Sequence, residues 1–80
     1  MNENLKEKYI ILLDKLANGL KDKYQDYKDM INNYAVLVSN NINSQKNPSE
    51  ESLDDELIWF VEEIENGIKH IRSINNGNIY

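Results

Sequence analysis

From Leu5 to Val38 the apolar residues keep a helical rhythm with no reset. The row is Leu5, Tyr9, Leu12, Leu13, Leu16, Leu20, Tyr24, Tyr27, Ile31, Tyr34 and Val38. Its steps of three and four place every member within roughly 120° on a wheel of 3.6 residues per turn. Only an amphipathic helix uses that spacing, so the pattern predicts one long helix over residues 4–39. Asn4 followed by Glu7 fits a capping box at its start. The polar stretch Asn40-Asn41-Ile42-Asn43-Ser44 opens an expected loop over 40–47. A second helix is predicted over 48–74, with Asn47 as cap, Pro48 at the first helical position and Glu50 at the third. Its core face is Leu53, Leu57, Phe60, Val61, Ile64, Ile68 and Ile71. Residues 75–80 read as a frayed tail.

The expected fold is therefore all-α, a single helical domain over 1–80 built as a long antiparallel hairpin. One position argues for an alternative. Glycine inside a helix costs about 1 kcal/mol against alanine, so Asn18-Gly19 could divide the first segment and give a three-helix bundle. An internal resemblance favours the hairpin. Leu5, Ile10, Asn18, Gly19 and Lys21 recur at one fixed offset as Leu53, Ile58, Asn66, Gly67 and Lys69. Folding the chain about residue 43 would set Gly19 against Gly67 in a close helix–helix contact. The same register would place Lys21 by Glu65 and Lys23 by Glu63. An arc this wide exceeds the seam of a two-stranded coil. Two hairpins dimerising into a four-helix bundle would cover it.

Size and composition narrow the function. With 80 residues the chain has little core of its own, and with no cysteine it has no disulfide, thiolate metal site or thiol nucleophile. The single histidine, His70, cannot build a zinc site without well-placed carboxylates. No glycine-rich phosphate loop is present, and acids on an outer face lack the enclosed setting that tunes a catalytic pair. The expectation is a non-catalytic protein with no cofactor and no metal. Charge is lopsided: residues 1–47 carry +1 and residues 48–80 carry −6 of the net −5. An acidic chain repels phosphate backbones, which argues against direct nucleic-acid binding. No apolar run approaches the roughly 20 residues of a membrane span, and no signal-peptide pattern opens the sequence, so a cytoplasmic location with no membrane partner is expected. Abundant Asn, Lys and Ile match an AT-rich bacterial or phage genome.

What remains is recognition of a protein. Trp59 lies roughly 220° around the wheel from the core face of the second segment, with Glu63, Asn66 and His70 on its side. Tryptophan is over-represented among interface hot spots. Trp59, Glu62, Glu63, Asn66, His70 and Asp55 are the candidate partner-binding residues. An inhibitor or antagonist of the antitoxin, immunity or phage-encoded type suits such a chain. The alternative is a structural or adaptor subunit of a larger helical assembly. A third is a phosphorelay module, with His70 accepting a phosphoryl group between Lys69 and Arg72. The acids from Glu50 to Glu65 also read simply as a solvated face and a favourable helix start.

Overall fold

A computed structural model describes residues 2–75. The order is α1 (Asn2–Lys23), a single 3-10 turn (Gln25–Tyr27), α2 (Lys28–Ser44) and α3 (Glu50–Asn75). The all-α expectation holds, and no strand occurs among the described residues. The long first helix does not. It breaks at Tyr24, past Gly19, which sits inside α1.

The break hides in the apolar rhythm. Tyr24 to Tyr27 is a step of three, which fits an α-helix and equally a turn of 3-10 geometry. The backbone at Tyr24 (φ −124°, ψ 67°) leaves the helical region, and Tyr27 (φ −120°, ψ 25°) departs again before α2 begins. Tyr24 N–H still donates to the Leu20 carbonyl (2.8 Å), and Tyr27 N–H donates to the Tyr24 carbonyl (2.9 Å), so the corner keeps its backbone bonds. No side chain caps either new start. Neither glycine nor proline marks the turn; burial of the α1 face against two other helices drives it.

The three helices run up, down and up. Lys6 donates to the Asn43 carbonyl and Lys21 to Asn32 Oδ1, both at 2.9 Å, so α1 and α2 are antiparallel. Tyr9 meets Asp54 and Lys23 meets Glu65, so α1 and α3 are parallel. The expected hairpin had made those segments antiparallel. That reversal removes the expected glycine contact. A Cβ placed on Gly19 meets nothing within 4 Å, and one on Gly67 would lie 3.9 Å from Met30 Sδ and Cε. Lys23 pairs with Glu65 in place of Glu63, and Lys21 turns to Asn32. Nor does a four-helix bundle of two hairpins have its building block, because one chain supplies three helices.

The core lies on the bundle axis. Its members are Tyr9, Leu13, Ala17 and Leu20 from α1, Ile31, Val38 and Ile42 from α2, and Leu53, Phe60, Ile64 and Ile68 from α3. Ile42, expected in the loop, is fully buried because α2 runs to Ser44. Leu16, expected in the core, is exposed, and Ala17 takes its place. The start of α3 also differs. Ser49 and Ser52 form a reciprocal box, each backbone N–H donating to the other's Oγ at 3.0 Å. Ser49 thus caps the helix, not Asn47, and Ser52 Oγ extends the box to Gln45 Oε1 (2.7 Å) in the loop. Asn4 lies inside α1 and does not cap it. The expected end of α3 at residue 74 agrees with Asn75, while the rest of the tail lies outside the described residues. Among the described residues, no helix is long and apolar enough to cross a membrane.

Candidate functional site

Trp59 stands where α3 turns its flank toward α2. Its ring makes an edge-to-face contact with Tyr34, centroids 5.9 Å apart and planes at 61°. Such pairs hold both rings in one geometry. Trp59 nevertheless remains 37% exposed, and Leu37, three residues after Tyr34 on the same helix, 46%. The result is an aromatic pair across the α2–α3 seam, with Trp59 open to solvent and Leu37 exposed one turn along α2 from Tyr34. Sequence spacing had put Tyr34 in the core; it is half-buried and works as the platform for Trp59.

The other predicted partner-binding residues divide. Glu63, Asn66 and His70 follow Trp59 along α3 at steps of four, seven and eleven, so all four share one side of the helix. Asn66 and His70 are exposed and Glu63 is half-buried. Glu62 belongs elsewhere: it borders a groove between α1 and α3 with Leu16, Leu57, Ile58 and Val61. Asp55 is exposed one turn before Trp59. Gly67 lies under Met30 of α2, and Gly19 is on open α1 surface.

Part of the acidic row on α3 serves the fold. Asp54 Oδ1 accepts from the Tyr9 hydroxyl at 2.6 Å. That bond, with burial and the nearby charges of Asp54 and Glu50, pushes the Tyr9 phenol from 10.0 up to about 12. Glu65 Oε2 accepts from Lys23 and from the Tyr24 hydroxyl, each at 3.4 Å, and Glu56 Oε1 accepts from Asn41 at 3.4 Å. The Lys23 ammonium is held charged above its ordinary range, by the Tyr24 hydroxyl first and Glu65 second. Arg72 lies over the rings of Tyr24 (5.3 Å) and Tyr27 (5.9 Å), clasping the corner from α3. Arg72 thus packs on the corner through its guanidinium face.

Among the described residues, no three His, Asp or Glu side chains come together in a way that could hold a metal ion. The grooves between the helices are shallow and open. Scans against protein-family models, curated proteins and solved structures each found no match.

Proposed function

We propose that this chain is a non-catalytic binder of another protein, and that the Trp59 edge of α2 and α3 is its contact surface. The observation that carries the reading is a half-exposed tryptophan fixed by Tyr34. Hot spots are rigid aromatics at the centre of a patch, ringed by polar groups that exclude water. Glu63, Asn66 and His70 supply such a ring on one side, and Leu37 widens the apolar centre. Ordering Trp59 before binding lowers the entropy lost on contact. The size, acidity and composition favour an inhibitor or antagonist of the antitoxin, immunity or phage-encoded type.

Capture from a lysate of the source cells tests this, with Trp59→Ala and His70→Ala run beside the wild type. A protein retained by wild type and His70→Ala but lost with Trp59→Ala is the expected result. Equal capture by all three overturns the assignment of the surface. Loss with His70→Ala alone, with the fold intact, would return attention to the phosphorelay reading. The adaptor reading is separated by behaviour in isolation: an inhibitor unfolds cooperatively without its partner, whereas an adaptor gains its cooperative transition only when the partner is added.

A further inference from the structure

The charges around Trp59 say what kind of partner its surface fits. On α3 the side chains at steps of three and four from Trp59 are Asp55, Glu56, Glu62 and Glu63, all carboxylates. Such steps bring Cβ atoms to within roughly 6 Å, so acids flank the indole before and after it along the helix. The helix dipole does not account for them. Its pull fades within the first turn, and α3 starts at Glu50, which leaves even Asp55 in the second turn. Nor are they held as ion pairs. Glu56 accepts from the neutral amide of Asn41, which leaves its charge uncompensated. Among the described residues none of the four pairs with a cation. Lys8 and Lys15 of α1 stand near the level of Asp55 and Glu62, yet neither forms an ion pair with them. On the other flank α2 supplies Tyr34 and has no charged side chain from Met30 to Ser44. Between Lys46 and Lys69 the chain carries no cation at all.

We propose that the Trp59 surface takes a basic segment of another protein, one that lays an arginine on the indole between Asp55 and Glu63. This rests on the partner-binding reading and names the chemistry of the partner. A guanidinium is attracted to the face of a tryptophan ring. Unlike an ammonium it is planar, so it stacks on the ring while its edge donates to carboxylates. Trp59, with an acid one turn to either side, offers both contacts at once. The same charges argue against other occupants. A second copy seated here about a two-fold axis would set carboxylates on carboxylates. Nucleic acid and an anionic lipid surface bring phosphates, which the acids repel. A purely apolar helix would desolvate the acids without compensating them.

The test is calorimetric titration of the full chain at low salt with three nonapeptides, all-arginine, all-lysine and all-glutamate, with circular dichroism as the folding control. The arginine peptide is expected to bind, and the lysine peptide to bind about threefold more weakly, since it meets the acids but stacks less well. The glutamate peptide should give no binding. Trp59→Ala, at an exposed position, is expected to stay folded, to weaken the arginine peptide about tenfold and to erase its advantage over lysine. Asp55→Asn with Glu63→Gln should also weaken it about tenfold. Glu7→Gln with Asp14→Asn removes the same charge from exposed positions on α1 and should change binding by less than about twofold. Equal losses in the two double variants would mean attraction to the net charge alone and overturn the proposal. Absence of arginine-peptide binding, or binding that ignores Trp59→Ala, overturns it as well. Heats of dilution showing a self-association that Trp59→Ala abolishes would give the face to a second copy and overturn it too. The underlying reading is separated by competition: a captured lysate protein that needs Trp59 but resists displacement by the arginine peptide overturns the basic partner and leaves Trp59 as the contact surface, whereas capture indifferent to Trp59→Ala overturns both.

Discussion

Tyr9 illustrates how much one residue can carry. Its ring is core, and its hydroxyl ties α1 to Asp54 on α3. The fold holds the phenol neutral, with a folded-state value near 12 against an ordinary 10.0. A group whose value rises on folding contributes stability that is complete below the unfolded value and lost as pH climbs through the folded one. Stability should therefore fall between about pH 10 and pH 12, and ultraviolet titration should show a phenol ionising late. Tyr9→Phe should remove that late phase and lower the melting temperature. If the late phase persists in Tyr9→Phe, the assignment is wrong. Trp59 is the other informative residue. It is the sole tryptophan, so its fluorescence reports the candidate surface directly. A soluble quencher should reach it in the free protein, and binding of the partner should protect it; unchanged quenching in the complex would move the contact surface away from α2 and α3.

At the scale of elements, the two ends that matter are the start of α3 and the interior of α1. The Ser49–Ser52 box satisfies backbone donors that would otherwise be orphaned. Ser49→Ala should cost about 1 kcal/mol in urea unfolding, while Asn47→Ala should cost little, since Asn47 lies outside the cap. Gly19 is helical with open space where a side chain would project. Gly19→Ala should therefore stabilise the chain by about 0.5–1 kcal/mol. A loss of stability would instead reveal a close approach at Gly19 and revive the glycine contact. The corner at residues 24–27 is held differently, by Arg72 over two tyrosines and by backbone bonds. It is an element fixed from outside itself.

For the whole molecule, 80 residues allow a stability of only about 4–12 kcal/mol. Phe60 is fully buried at the centre of α3, among residues of all three helices. Truncating it to alanine should remove about 3–5 kcal/mol, much of what the fold has. Urea denaturation of Phe60→Ala should show a largely lost transition; a shift of less than about 1 kcal/mol would place the core elsewhere.

The sequence by itself determined that the chain is helical, where α3 lies and most of its buried face. Periodicity decides these, because Leu53, Phe60, Ile64 and Ile68 can share one face only in a helix. It also singled out Trp59, since a residue off the apolar stripe is visible on a wheel. The tertiary structure alone decided that the first segment folds back at Tyr24. A step of three is silent about whether the turn containing it continues or tightens. From that one reversal follow the parallel run of α1 and α3, the pairing of Lys23 with Glu65, the separation of Gly19 from Gly67, and the platform that Tyr34 makes for Trp59. Local spacing fixes which face of a helix is apolar; only the competition among three helices for one core fixes which face meets which.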